Sequence, residues 1–62
     1  MTRAQEIAAQ LDTEWQANEK WLAHFMARTN CGVMVQQFWE RREWLWEARE
    51  VANQKVREEL GL

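Results

Sequence analysis

The sequence predicts an all-α fold in which two antiparallel helices form a hairpin, and the hairpin dimerises into a four-helix bundle. Three observations support this prediction. The 62 residues include no proline, and the two glycines stand at positions 32 and 61, so only one interior position interrupts the helical pattern. Apolar residues recur every three or four positions on both sides of that interruption. A chain this short forms one domain, residues 1–62, and is marginally stable as a monomer.

The first helix is predicted over residues 3–29. Thr2 and Gln5 have the spacing of a capping box, in which Thr2 is the N-cap and Gln5 hydrogen-bonds back to it. An apolar stripe with helical spacing then follows, interrupted by Asn18. Its members are Ala4, Ile7, Ala8, Leu11, Trp15, Leu22, Phe25 and Met26. This pattern is typical of an amphipathic helix that packs one face against a neighbour.

A turn is predicted over residues 29–33 and a second helix over residues 34–60. The turn contains an asparagine and a glycine, both of which tolerate left-handed backbone. Gly61 is expected to close the second helix, with Leu62 folding back near Val56. Because the connection is short, the two helices should be antiparallel neighbours.

The second helix presents more apolar surface than one facing helix can cover. Its polar side, expected in water, consists of Gln36, Glu40, Glu43, Glu47, Glu50, Gln54 and Glu58. The opposite side consists of Met34, Phe38, Leu45, Ala52, Val56 and Leu60, with Arg42 and Arg49 among them. Large apolar residues also occupy both flanks. The surplus surface predicts that the protein is a homodimer.

The segment Phe38–Glu47, which reads FWERREWLWE, combines three tryptophans with charged residues. Phe38 and Leu45 are seven residues apart, so both should face the first helix. Trp39 and Trp46 share that spacing on a neighbouring face and should seal the edge of the hairpin or the subunit contact. Trp44 lies about 120° from Phe38 around the helix, so we expect it to bind an additional partner.

Arg42 and Arg49 are also seven residues apart and therefore lie on one face. An arginine among aromatic residues can place its guanidinium on a ring, and burial requires a carboxylate partner. Glu14 of the first helix and a carboxylate of a partner chain are both candidates. In the alternative, both arginines extend into solvent at the edge. The predicted partner-binding residues are thus Trp39, Arg42, Trp44, Trp46 and Arg49.

Catalytic, metal and cofactor sites are not expected. His24 is the only histidine and Cys31 the only cysteine, fewer than a zinc site requires, and one cysteine forms no intrachain disulfide. The glutamates lie along a solvated stripe, and no glycine-rich phosphate loop occurs. The net charge of −2 disfavours nucleic acid, and no apolar run has the length of a membrane span. A cytoplasmic protein with a reduced thiol is the simplest interpretation.

These patterns favour a small protein–protein interaction module, an adaptor, assembly factor or regulator, that self-associates and binds a partner through an aromatic helix face. One alternative is a small inhibitory protein, for example one encoded by a phage, that occludes a functional surface of its target. A further alternative is a dimeric DNA-binding regulator. In it, the turn between the helices would resemble that of a helix-turn-helix.

Overall fold

The computed structural model describes residues 2–28 and 30–61, which form two helices. Helix α1 spans Arg3–Met26 and helix α2 spans Gly32–Leu60. The helices pack side by side and antiparallel, since Asp12 of α1 pairs with Arg49 and Asn18 with Phe38. The hairpin measures 47 × 16 × 14 Å. The predicted all-α hairpin is therefore confirmed.

The start of α1 is fixed by the capping box that the sequence predicts. The backbone N–H of Thr2 donates to Oε1 of Gln5 at 2.9 Å, and the N–H of Gln5 donates to Oγ1 of Thr2 at 3.2 Å. The two bonds satisfy donors that the first turn of a helix leaves without partners.

The connection lies earlier in the chain than the predicted turn at residues 29–33. Helix α1 ends at Met26, and α2 begins at Gly32 rather than at residue 34. Asn30 adopts a left-handed conformation, with φ of 66°. Because Asn30 reverses the chain, Gly32 is not needed for the reversal and takes the first position of α2. The helix end expected at Thr29 lies outside the described residues.

The C-terminal end of α2 has the predicted glycine cap. Gly61 is left-handed, with φ of 72°, and its N–H points to the carbonyls of Arg57 and Glu58. Glycine suits this position because residues that carry a Cβ are strained at a positive φ. The contact expected between Leu62 and Val56 lies outside the described residues.

The seam between the helices is narrow. Among residues 2–28 and 30–61, the buried side chains are Ala4, Asn18, Leu22, Leu45 and Ala52, and Leu45 alone among the large ones is fully buried. Phe38 faces α1 as predicted, and its ring stacks on Phe25 with centroids 5.5 Å apart. Most of the aromatic surface therefore lies outside the seam.

Asn18 is the one polar residue in this seam, within the part of the chain that the structure describes, and it is 2% exposed. Its Nδ2 donates to the backbone carbonyl of Phe38 at 3.0 Å, which ties the middle of α1 to α2. Its Oδ1 is buried and has no hydrogen-bond partner among the described residues. A buried asparagine at a helix seam specifies the register of the two helices at a cost in stability.

We predict that Asn18→Leu raises the free energy of unfolding by about 1 kcal/mol, because it removes the unpaired Oδ1 and fills the site with apolar atoms. Asn18→Asp should lower it by about 2–4 kcal/mol, since a carboxylate would then face the Phe38 carbonyl in the seam. Urea denaturation at matched protein concentration measures both effects. A loss of stability in Asn18→Leu as large as that in Asn18→Asp would contradict this account.

Candidate functional site

One surface of the hairpin carries alternating tryptophan and arginine side chains, here called the ladder face. It comprises Trp15 of α1 with Trp39, Arg42, Trp46 and Arg49 of α2. The α2 members recur every three or four residues, so they form one stripe beside the seam. Together they form a continuous stack along the hairpin.

Trp15 is the centre of this stack. The guanidinium carbon of Arg42 lies 4.9 Å from the Trp15 ring centroid, and that of Arg49 lies 5.0 Å from it. The guanidinium carbon of Arg42 also lies 5.2 Å from the centroid of the Trp39 ring. Trp46 packs on Trp15 with centroids 5.7 Å apart and a tilt of 52°. One indole is thus in contact with two cations and a second indole.

Each arginine of the ladder face is also paired with a carboxylate of α1. Nε of Arg42 donates to Oε1 of Glu19 at 2.5 Å, and Nη2 of Arg49 donates to Oδ1 of Asp12 at 2.8 Å. The partner suggested by the sequence, Glu14, is incorrect for both. Glu14 instead lines a cleft on the other surface of the hairpin.

A signal for the correct partners is present in the sequence. Asp12 and Glu19 are seven residues apart, as are Arg42 and Arg49, so two antiparallel helices bring both pairs into register. All four side chains are at least a quarter exposed. Ion pairs at such exposure contribute little to stability, typically below about 1 kcal/mol each. Their main effect here is to hold the guanidinium planes against the rings.

The outer rings of the ladder face remain accessible. Trp39 is 47% exposed and Trp46 is 52% exposed. Glu40, Glu43 and Glu47 are exposed next to them, as the sequence predicts. An open cleft of about 400 Å³ is lined by Arg42, Glu43, Trp46 and Glu47. This part of the surface therefore combines an accessible indole with two carboxylates.

Trp44 does not belong to the ladder face. It is 60% exposed and lies on a different stripe of α2, with Arg41, Ala48 and Val51 at helical spacing. An apolar groove of about 290 Å³ opens on the same side of the hairpin. Its lining residues are Ala4, Ile7, Leu11, Ala48, Val51, Ala52 and Lys55. The groove, Trp21 and Trp44 together are called the groove face below.

The structure thus divides the five predicted partner-binding residues between two surfaces. Four lie on the ladder face, and Trp44 lies on the groove face. Two tryptophans have roles that the sequence analysis did not find. Trp15, expected in the core, organises the ladder face, and Trp21 is half exposed while stacking on Phe25 at 5.9 Å. Trp15 lies within the apolar stripe of α1 and Trp21 lies on its flank, and periodicity alone does not show which of these rings remain outside the seam.

Among the described residues, no group of three or more histidine, cysteine, aspartate or glutamate side chains is arranged to hold a metal ion. Within the same residues, neither helix has the continuous apolar length needed to cross a bilayer. Comparisons with protein-family models, with curated proteins and with solved structures find no match to this chain.

We predict that Arg42→Lys lowers the free energy of unfolding by about 1 kcal/mol, although the charge is kept. Lysine cannot place a planar group between Trp15 and Trp39 while pairing with Glu19. Arg57→Lys, at an exposed position near the end of α2, is the matched control and should change stability by less than about 0.5 kcal/mol. Urea denaturation measures both variants. Equal effects of the two substitutions would show that stacking of Arg42 on Trp15 and Trp39 does not contribute to the free energy of unfolding.

Proposed function

We propose that this protein is a small protein–protein interaction module of the cytoplasm, an adaptor, assembly factor or regulator. It works as a homodimer and binds a protein partner through the ladder face. The observation that supports this proposal is the pair of half-exposed tryptophans, Trp39 and Trp46, on a framework of stacked arginines.

The ladder face suits binding because its aromatic side chains are held in place before a partner arrives. Association costs about 0.5–1.5 kcal/mol for each flexible side chain that becomes fixed. Trp46 packs on Trp15, and Trp39 packs on Arg42, so both rings are already restrained. Tryptophan and arginine are also the residue types most enriched at interface positions that dominate affinity.

The charges beside the rings indicate the chemistry of the partner. Glu43 and Glu47 are exposed and border Trp46 in the same cleft. Neither forms an ion pair with another residue in the described ranges 2–28 and 30–61. A partner surface with an apolar centre and lysine or arginine at its rim is complementary, since a cation there contacts both a carboxylate and an indole face.

The same acidic and aromatic surface also supports the inhibitory alternative. A protein that occludes a basic, nucleic-acid-binding surface of its target needs carboxylates that compete with phosphates. The DNA-binding alternative receives less support. Arg42 and Arg49 are engaged with Glu19 and Asp12, and duplex binding requires cations directed at phosphates.

Affinity capture from the native host tests the proposal. We predict that Trp46→Ala lowers partner recovery at least about tenfold, because it removes one of the two exposed rings of the ladder face. Gln54→Ala is the control, at an exposed position on the polar side of α2 away from both the ladder face and the groove face, and it should keep recovery within about threefold. Recovery should also fall as salt rises if Glu43 and Glu47 pair with cations.

The capture experiment would contradict the proposal if Trp46→Ala and wild type recovered the same proteins in equal amounts. Circular dichroism of each variant shows whether the hairpin is intact, so lost recovery is not mistaken for lost folding.

A further inference from the structure

We infer that the groove face is the homodimer contact and that the two copies pack with their turns at opposite ends. Trp44 of each copy then covers the groove of the other at Ala48, and Trp21 covers Ile7. The inference rests on the self-association proposed above and assigns its surface and geometry.

The groove face carries a projection and a recess side by side. Trp44 projects from α2 with 60% of its surface exposed, and Ala48 and Ala52 follow it by one and two helical turns. The small alanines and the flanking Ile7, Leu11 and Val51 form the apolar groove. A recess of about 290 Å³ is large enough to accept part of an indole ring from another molecule.

A twofold axis relates the projection and the recess in both helices at once. If Trp44 of one copy lies opposite Ala48 of the other, the twofold axis passes α2 at about residue 46, midway between these two positions. If Trp21 of one copy lies opposite Ile7 of the other, the axis passes α1 at residue 14. The Trp15–Trp46 contact shows that these two positions lie at nearly the same height in the hairpin. A single twofold axis therefore places both pairs of residues opposite each other.

The available area fits a dimer of ordinary size. The hairpin extents of 47 × 16 Å give a projected face of about 750 Å² per copy. Stable interfaces bury about 800 Å² per partner. The two large aromatic residues on this face, Trp21 and Trp44, are half or more exposed in the single hairpin. A second copy of this chain has the length, shape and apolar surface to cover them.

Packing with both turns at the same end is the alternative arrangement. It would bring Glu14 of one copy towards Arg41 of the other, but it would leave the two grooves facing each other without a side chain to fill them. An exposed ion pair contributes little, whereas a tryptophan buries on the order of 150–250 Å². Groove filling therefore decides the arrangement.

Charges at the rim do not oppose the chosen arrangement strongly. Arg41 and Lys55 of different copies approach each other, but both are exposed, so their repulsion is screened by solvent and salt. Because the axis passes α1 at residue 14, the Glu14 side chains of the two copies lie opposite each other. Glu14 is partly exposed, and Arg41 of the same copy lines the same cleft, which offsets part of this repulsion.

Exchanging the projection and the recess tests the inference. Trp44→Ala removes the projection, and Ala48→Trp places two indoles in one space, so each should raise the dimer Kd at least about tenfold in sedimentation experiments. The double variant Trp44→Ala with Ala48→Trp restores complementarity and should return the Kd to within about threefold of wild type. A double variant that dimerises no better than the single ones overturns the inference.

A second measurement is independent of those packing substitutions. A spin label at Arg28→Cys, in a Cys31→Ser background, marks the turn end of each copy. With a rise of 1.5 Å per residue from the axis near residue 14, the two labels should be about 40 Å apart. A distance below about 20 Å would mean that the turns lie at one end, which overturns the inference. So would a dimer that survives the groove variants and dissociates with Trp46→Ala. Partner capture that depends on Trp46 tests the proposed function separately.

Discussion

The dominant constraint on this structure is that two helices share only one seam. A seam between two cylinders buries a single row of side chains, and here that row consists mainly of small or medium residues around Leu45. Five tryptophans in a chain of 62 residues cannot fit into it. The aromatic residues are consequently distributed over two outer faces. The stability, the assembly and the proposed binding all depend on how those faces are covered.

The two faces handle the surplus aromatic surface in different ways. On the ladder face, Arg42 and Arg49 place guanidinium groups over the rings and receive carboxylates from α1, so the apolar surface is partly covered by the chain itself. Alkyl stems and planar cations of arginine are well suited to this. On the groove face, no comparable cations cover Trp44 among the described residues, and the apolar groove remains open.

Patterns local in sequence predicted most of the fold. The Thr2–Gln5 capping box, the glycine cap at position 61 and the inward direction of Phe38 each depend on a few neighbouring residues, and each is present. The turn was displaced because Asn30, rather than Gly32, adopts the left-handed conformation. Asparagine and glycine both tolerate the left-handed conformation, and the sequence alone does not show which of the two residues adopts it.

Tertiary register limited the prediction of the site. Periodicity placed Arg42 and Arg49 correctly on one face, but identifying Asp12 and Glu19 as their partners requires knowing which residues of α1 lie opposite. Asn18 provides that register through a buried hydrogen bond to the backbone carbonyl of Phe38. In the sequence, Asn18 is recognisable only as a polar residue that interrupts the apolar stripe. The separation of Trp44 from Trp46 follows from helical spacing, whereas the groove beside Trp44 depends on both helices.

The central claim is that the hairpin is completed by a second copy, and the dependence of thermal unfolding on protein concentration tests it most directly. A dimer that unfolds to separate chains should show a midpoint that rises by about 10 °C between about 5 and about 500 μM, since association contributes about 2.7 kcal/mol over that range. A midpoint independent of concentration, together with a sedimenting mass of 7.5 kDa, would show that the single hairpin is stable alone and would contradict the claim.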